Sequence, residues 1–243
     1  MNNWNDQWLV GTYGLSYSED GVSWTVLGSQ DFNLTGIVRE SARTIVSAGI
    51  GSGLWEWPDG ADRWKQLHDE TLTEVLAIAS IPGDPGILSG SPYGIATAQR
   101  DEVGAARWTH HSDALRVNER YTNALLVDPY ESDCWLVGTE GGVLIATDGG
   151  CMWERTTISS TPVRALMYAD DIYWAGTDGN GIWRSKDGQR WDRAGTNEED
   201  AAIYDLAVSD GRIIAAAGHG ILVGDGDGRW RRTGPRMLAS AVG

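Results

Sequence analysis

The chain has 243 residues, of which 41% are hydrophobic, and a formal net charge of -15 at pH 7. This length leaves room for one large domain or two small ones, and the hydrophobic content is too high for a disordered acidic tail. The acidic balance argues against a nucleic acid as the partner, because a protein that neutralises phosphates normally carries a basic face.

The types of charged residue are unusual. Lys65 and Lys186 are the only lysines among 19 basic residues, and the 22 aspartates outnumber the 12 glutamates. Such a composition resembles that of proteins from extreme halophiles, since molar salt shortens the Debye length to about 3 Å and screens the repulsion between carboxylates. We interpret the acidity first as adaptation to concentrated salt; the alternative is a surface that binds a cation or a basic partner.

The cysteines and the first residues indicate the compartment. Cys134 and Cys151 are too few for a disulfide scaffold of this size, and no Cys/His spacing is typical of a zinc site. Residues 1–10 lack the cationic and apolar regions of a signal peptide, and the sequence contains no long apolar span. We therefore expect a cytoplasmic chain with no metal, no cofactor and no contact with a membrane.

In chain order, the sequence repeats with a period of about 41 residues. A tryptophan closes a turn-rich segment in each repeat, and a glycine that opens a short apolar run precedes it. The tryptophans are Trp24, Trp64, Trp108, Trp153, Trp191 and Trp230, and the glycines are Gly14, Gly53, Gly94, Gly142, Gly181 and Gly220. Six such repeats account for all 243 residues, so we predict a single domain over 1–243.

The hydrophobic pattern within a repeat has period two and is interrupted by glycines, which is typical of short antiparallel strands. Around Trp191 it predicts strands at 163–168, 172–177, 181–185 and 190–193, with Gly176 and Gly181 at turns. Four strands in about 40 residues indicate a propeller blade. The fold class is therefore all-β, a six-bladed β-propeller of four-stranded antiparallel blades.

The two ends of the sequence predict how such a ring closes. The first strand pattern, at 8–12, matches a second strand, whereas 237–242 matches a first strand with no blade of its own. We expect the C-terminal strand to join the N-terminal blade, which removes the open sheet edges.

Five of the six tryptophan segments share an Asp-Gly turn: SEDGVSW, WPDGADRW, ATDGGCMW, SKDGQRW and VGDGDGRW. They resemble the Asp-box of sialidase-type, or BNR-repeat, propellers; the turn before Trp108 is degenerate. An Asp at this position accepts hydrogen bonds from the N–H groups of its own turn, and the Trp is expected to pack on its own blade. The aspartates concerned are Asp20, Asp59, Asp148, Asp187 and Asp225.

The resemblance implies that these hairpins join the third and fourth strands, away from the binding face. It does not extend to sialidase chemistry, because the arginine-bearing F/Y-R-I-P stretch is absent and the sole phenylalanine, Phe32, lies elsewhere. Other Asp-box propellers are assembly factors, sorting-receptor ectodomains or glycanases, so the repeat alone does not select a function.

The loops between second and third strands define a candidate binding face around the central channel. They carry Tyr13, Tyr93, Glu140, Asp178, Asn180 and His219. First strands add four polar residues to an otherwise small or apolar column: Asn123, Arg164, Tyr204 and Asp205. Because a buried polar group needs a partner, we expect Arg164 to pair with Asp205; the alternative is that both contact a ligand.

Two further segments are weaker candidates. The connection 109–122 is long and contains His110, His111, Arg116, Glu119 and Arg120, which is compatible with a functional loop or with a merely solvated one. The segment 224–228, GDGDG, has some likeness to a cation loop but lacks the spacing of an EF-hand.

We predict a non-enzymatic propeller scaffold that binds a protein or another macromolecule on the loop-rich face. The alternative is a carbohydrate-active enzyme, a hydrolase or lyase, with Glu140 and Asp178 as the acid/base pair.

Overall fold

The computed structural model describes residues 8–12, 14–27, 33–40, 43–48, 52–67, 73–195, 201–224 and 229–233. The chain divides into two compact units, residues 1–111 and 112–243. Within the described ranges, no helix has the length and apolar character needed to cross a membrane.

Residues 1–111 contain three sheets in which each strand pairs with the next one along the chain. Sheet 1 consists of β1 (Trp8–Thr12), β2 (Gly14–Ser18) and β3 (Thr25–Leu27). Sheet 2 consists of β4 (Leu34–Arg39), β5 (Arg43–Ala48), β6 (Gly53–Pro58) and β7 (Lys65–Gln66). Sheet 3 consists of β8 (Ala77–Ser80), β9 (Ile87–Ser91), β10 (Gly94–Arg100) and β11 (Ala106–His110).

Residues 112–243 begin with a short helix, α1 (Val117–Arg120), and continue with three four-stranded sheets. Sheet 4 consists of β12 (Thr122–Val127), β13 (Trp135–Thr139), β14 (Gly142–Ala146) and β15 (Glu154–Ser159). Sheet 5 consists of β16 (Val163–Ala169), β17 (Ile172–Thr177), β18 (Ile182–Ser185) and β19 (Asp192–Arg193). Sheet 6 consists of β20 (Ile203–Ser209), β21 (Arg212–Ala217), β22 (Gly220–Gly224) and β23 (Trp230–Thr233).

These six successive antiparallel sheets confirm the all-β class and are consistent with a six-bladed propeller. In sheet 5 the observed strand bounds differ from the predicted ones by two residues at most. The predicted closing strand at 237–242 lies outside the described residues, and the single domain over 1–243 stays a prediction.

Glycines in the second strands make room for the neighbouring sheet. A Cβ at Gly138 would lie 2.8 Å from Val163, and one at Gly176 would lie 2.6 Å from Ile203. Gly176 is therefore a packing glycine inside β17 and not the turn residue that the sequence predicted. Gly181, with φ +68, is a turn residue as expected.

Within each unit the hydrophobic cores lie between successive sheets, and four of the repeating tryptophans belong to them: Trp64, Trp108, Trp191 and Trp230. Trp24, in contrast, is 44% exposed. Trp191 of sheet 5 packs with Leu136 and Ile145 of sheet 4. Trp64 of sheet 2 donates its indole N–H to the carbonyl of Leu27 in sheet 1, at 3.0 Å. Both indoles also contact their own blade, as expected: Trp64 lies edge to face with Trp57, with ring centroids 5.3 Å apart, and Trp191 donates its indole N–H to the Gly188 carbonyl at 2.8 Å. What the sequence did not predict is that the same indoles fill the space between two sheets.

The Asp-Gly turns behave largely as predicted. Asp187 accepts the N–H groups of Gln189 and Arg190 at 2.9 and 2.8 Å, and Asp20 and Asp148 also accept turn N–H groups.

Two further turns depart from the expectation. Asp101 accepts two turn N–H groups although its motif is degenerate. At Asp59 the prediction is wrong, because the Ala61 N–H closes the turn on the Pro58 carbonyl while the carboxylate pairs with Arg39 at 2.9 Å. Asp225 lies outside the described residues.

Candidate functional site

Four of the predicted site residues form one hydrogen-bonded group in residues 112–243, which we call the Arg164 network: Asn123, Glu140, Arg164 and Asp178. Nη1 of Arg164 donates to Oδ1 of Asn123 at 3.0 Å and to Oε1 of Glu140 at 2.9 Å. Nη2 of Arg164 donates to Oδ2 of Asp178 at 2.9 Å. The Asn123 amide also donates to Oε1 of Glu140, at 3.1 Å. The network therefore joins sheet 4 to sheet 5.

A shift in strand register in β12 and β16, the first strands of sheets 4 and 5, places Asn123 and Arg164. The strand register shifts between Thr122 and Ala124, and again between Val163 and Ala165. The residue between each pair is thus a bulge residue, and a bulge redirects its side chain away from the regular alternation of the strand. Sheet 6 has the same shift at Tyr204, between Ile203 and Asp205. The sequence predicted equivalent positions in the repeat for Asn123, Arg164 and Tyr204. In the structure each of the three is the bulge residue of its strand.

The two carboxylates of the network stand on the connections between second and third strands. Glu140 lies in the turn between β13 and β14, where Thr139 Oγ1 donates to the Gly142 carbonyl at 3.0 Å. Asp178 follows β17, where Thr177 Oγ1 donates to the Gly181 carbonyl at 2.7 Å. These threonine hydrogen bonds fix the turns from within, so the carboxylates are held at the end of each sheet.

The network is accessible and carries a formal charge of -1. The side chains of Arg164, Glu140 and Asp178 are 29%, 32% and 38% exposed. One carboxylate oxygen of each acid and the Nε–H of Arg164 are not used within the network. The site can therefore both accept and donate hydrogen bonds, which is the capacity needed to recognise a polypeptide backbone or a polar side chain.

The expected pairing of Arg164 with Asp205 is wrong. Arg164 pairs with Glu140 and Asp178 instead. The bulge turns its side chain towards the connections between second and third strands, and these connections carry the two carboxylates. The Asp205 carboxylate accepts the N–H of Leu206 at 2.9 Å.

The remaining predicted residues are distributed over both units. Asn180 donates to Thr161 Oγ1 at 3.2 Å and stands in the same connection as Asp178. Tyr204, Asp205 and His219 are half-buried in sheet 6. Tyr93, in residues 1–111, is 66% exposed on the turn after β9, and Tyr13 lies outside the described residues.

The long connection 109–122 is an ordered element, not the solvated loop that was one of its two interpretations. Its central feature is Glu119, only 3% exposed, whose carboxylate accepts two hydrogen bonds from Arg155 at 2.7 and 2.8 Å. The same carboxylate accepts the N–H of Arg116 at 2.8 Å, which closes the first turn of α1. The sequence indicated Glu119 only as a loop residue, since its partner Arg155 lies 36 positions away.

No group of three or more His, Cys, Asp or Glu side chains arranged to hold a metal ion occurs among the residues that the structure describes. The two cysteines differ in environment: Cys151 is exposed, whereas Cys134 is buried. Burial and the nearby carboxylate of Asp128 raise the pKa of the Cys134 thiol to about 11, so this thiol stays protonated near neutral pH.

No family model matches the chain. It is 24% identical over 162 residues to the photosystem II assembly lipoprotein Ycf48 of Synechococcus sp. (strain CC9902), an alignment that covers 65% of this chain and 47% of Ycf48. The chain thus spans about half the length of this relative.

Solved structures with a similar fold come from several kinds of protein. The extracellular domain of the hybrid two-component system BT4673 from B. thetaiotaomicron matches with a TM-score of 0.75 and 16% identity, covering 96% of this chain and 32% of that one. YCF48 from Cyanidioschyzon merolae matches with a TM-score of 0.69 and 18% identity, covering 96% and 82%. YCF48 bound to D1 peptide matches with a TM-score of 0.67 and 18% identity, covering 93% and 76%. At these identities the likeness concerns the fold.

Proposed function

We propose that this chain is a non-enzymatic propeller scaffold that binds a polypeptide of a partner protein through the Arg164 network. The observation that carries the proposal is the guanidinium of Arg164, held by Asn123, Glu140 and Asp178 and still 29% exposed. A preformed group of polar side chains offers hydrogen bonds without a large cost of ordering, and its place at the end of two sheets leaves it open to a long ligand.

The comparisons support this class of ligand. One protein of similar fold is YCF48 bound to D1 peptide, and the curated relative is an assembly lipoprotein. We extend only the class, a polypeptide ligand, to this chain.

The chemistry of the site favours binding over glycoside hydrolysis. A glycosidase needs one carboxylic acid that donates a proton to the leaving oxygen. In the Arg164 network, Glu140 and Asp178 both accept N–H groups of the same arginine. Neither is placed as a proton donor, so the scaffold is the function that we propose.

Site-specific photocrosslinking tests the proposal. A photoreactive amino acid at Asn180, beside Asp178, is expected to crosslink a defined polypeptide in a native extract at high salt, and mass spectrometry identifies the segment. The matched control carries the same photoreactive group at the exposed Gln189, in the hairpin at the other end of sheet 5. Binding of the synthetic segment to the purified protein is then measured by calorimetry.

The binding measurement decides the role of the network. Arg164→Gln is expected to weaken binding of the identified segment by about tenfold or more, since charge-assisted hydrogen bonds contribute roughly 1.5–3 kcal/mol. Arg107→Gln removes an exposed arginine of residues 1–111 and is expected to leave binding unchanged. Equal affinities for the wild type and Arg164→Gln would remove the network from the proposed function.

For the architecture, we propose a closed six-bladed ring of Asp-box type in which 237–242 pairs with β1. Sheet 1 has three strands among the described residues, whereas each of the other five has four, and a fourth strand would cover the free edge of β1. Deletion of 237–243 is then expected to lower the melting temperature strongly, as measured by circular dichroism. Unchanged melting contradicts the closure.

We also propose that the acidic composition is an adaptation to a cytoplasm of high salt. At low salt the carboxylates of a chain with a net charge of -15 repel one another. The melting temperature is therefore expected to rise steeply between dilute and molar potassium chloride. A melting temperature independent of salt contradicts this interpretation.

A further inference from the structure

A cluster of three tyrosines lies at the end of sheets 4 and 5 opposite to the Arg164 network, because β12 and β16 begin beside Asn123 and Arg164 and end at these tyrosines. Tyr130 stands on the connection between β12 and β13, whereas Tyr168 and Tyr173 are paired across β16 and β17. The rings of Tyr130 and Tyr168 meet edge to face, with centroids 6.0 Å apart. Those of Tyr168 and Tyr173 do the same at 4.9 Å. We call this group the tyrosine cluster.

The outermost ring of the tyrosine cluster is open to solvent. Tyr173 is buried and Tyr168 is half-buried, but Tyr130 is 79% exposed. In sheets 5 and 6 the two-residue turns 170–171 and 210–211 suffice to join the first and second strands. The longer connection 128–134 of sheet 4 is thus not needed to form a hairpin, and it presents an aromatic side chain of the type that often dominates protein interfaces.

Buried Asp128 holds the connection that carries the exposed ring. Its carboxylate accepts the N–H groups of Tyr130 and Glu131 at 2.8 and 2.9 Å, and it also accepts the hydroxyl of Tyr173. The N–H of Asp128 donates to the carbonyl of Cys134 at 2.9 Å, which closes the connection. Because the backbone of Tyr130 is already fixed, contact with a ligand requires little further ordering.

The connections beside the outer rings are acidic. Residues 128–134 and 168–172 contain no lysine or arginine, and their exposed acidic side chains are Glu131, Asp133, Asp170 and Asp171. Among the residues that the structure describes, none of these four takes part in an ion pair. The carboxylate of Asp171 accepts the hydroxyl of Tyr168 at 3.3 Å. Burial raises the pKa of Tyr168, and the charges of Asp171 and Asp128 raise it further, so the potential at this ring is negative.

Sheet 6 provides an internal comparison. Val208 and Ile213 are paired there at the positions of the two sheet-5 tyrosines. In the turn between these paired residues, Gly211 with φ +68 takes the place of Asp171 with φ +60. Both values lie in the left-handed region that favours glycine. Sheet 5 therefore places a carboxylate beside its tyrosines at a position where the backbone favours a residue without a side chain.

We propose that Tyr130, Tyr168 and Asp171 bind an arginine side chain of a partner protein, at a site independent of the Arg164 network. A guanidinium group stacks on an aromatic ring and donates hydrogen bonds to a carboxylate, and this surface offers both. Arginine is preferred to lysine because its planar group stacks and is more weakly hydrated than an ammonium group. The other carboxylates of the two connections attract the same positive charge.

A nuclear magnetic resonance titration with two synthetic peptides, tetra-arginine and tetra-lysine, tests this inference in the lowest potassium chloride concentration that keeps the protein folded. The wild type is expected to bind tetra-arginine saturably, with shifts at 128–134 and 168–172, and to bind tetra-lysine at least about threefold more weakly. Tyr130→Ala should weaken the binding of tetra-arginine about fivefold or more, whereas Tyr130→Phe keeps the ring and most of the affinity. Asp171→Asn should weaken it about threefold, and asparagine fits the left-handed turn.

Two further variants separate the site from general charge effects. Asp210→Asn removes an exposed carboxylate from the equivalent turn of sheet 6, which has no tyrosine pair, and is expected to leave binding unchanged. Arg164→Gln should also leave it unchanged, so failure here is distinguishable from failure of the proposed polypeptide site. Melting temperatures confirm that the variants fold. Absence of saturable binding, equal affinity for the two peptides, unchanged affinity in Tyr130→Ala, or an equal loss in Asp210→Asn and Asp171→Asn overturns the inference.

Discussion

Two ion-pair networks of opposite composition join neighbouring sheets in the two units. In residues 1–111, one carboxylate, Glu56 of sheet 2, holds two arginines: Arg43 of its own sheet at 3.0 Å and Arg100 of sheet 3. In residues 112–243, one arginine, Arg164, holds two carboxylates. The side chain of Glu56 is 4% exposed, whereas those of the Arg164 network are about a third exposed.

Burial makes these similar networks serve different purposes. A buried ion pair is costly to break, because the remaining partner loses both its counter-charge and its water. A pair that is one-third exposed contributes little to stability, since solvent screens it, but it stays available to a ligand. We therefore assign the Glu56 network to stability and the Arg164 network to binding.

The largest expected effect is that of Glu56→Ala. Removing the carboxylate leaves Arg43 and Arg100 without their shared partner, and a broken buried pair costs about 3–5 kcal/mol. Chemical denaturation measures the loss, with Glu102→Ala on an exposed turn as the control. A loss below about 1 kcal/mol, as for a surface pair, would show that burial does not distinguish the two networks.

Glu119 offers a second test of the same rule within residues 112–243. Its side chain is 5% exposed and pairs with Arg155 at 2.7 Å, so it should behave like Glu56 and not like Glu140 of the Arg164 network. Burial raises the pKa of Glu119, but the hydrogen bonds from Arg155 and Arg116 outweigh this effect and hold the pKa below its ordinary value of 4.5.

The sign of the pH dependence follows from that lowered pKa. The stabilisation by Glu119 is present above pH 4.5 and is lost as the pH falls through the lower folded pKa. The free energy of unfolding is thus expected to fall on acidification more steeply in the wild type than in Glu119→Gln. Parallel pH profiles of the two proteins, measured by denaturation, would contradict the assignment.

A smaller loss is expected at an exposed turn. Asp187→Ala removes three hydrogen bonds in the hairpin after β18, which should cost about 1 kcal/mol because solvent replaces part of each bond. Thermal melting measures it against Asp192→Ala, which removes an exposed carboxylate from the next strand. Equal melting temperatures for the two variants would show that the turn bonds contribute nothing beyond a surface charge.

Sequence periodicity predicted the sheets well, because strand alternation and turn glycines are local properties. It also gathered Asn123, Glu140, Arg164 and Asp178 on one face, since equivalent positions of a repeat occupy equivalent places. The partner of Arg164 was predicted wrongly, because the choice between Glu140 and Asp205 depends on a bulge that changes no residue type. Two buried ion pairs could not be predicted from a local sequence pattern, because their partners are far apart in the sequence. Glu119 and Arg155 are 36 positions apart, and Glu56 and Arg100 are 44 positions apart.

The smallest expected effect on stability is that of Arg164→Gln, and it is the sharpest test of the comparison. All three of its partners keep contact with solvent, so the free energy of unfolding should change by less than about 1 kcal/mol. Glutamine retains one hydrogen-bond donor group, which still reaches Asn123 or Glu140 but cannot hold Asp178 at the same time. A loss as large as that of Glu56→Ala would make Arg164 a structural residue, whereas near-native melting with weakened polypeptide binding is the combination that only a binding site produces.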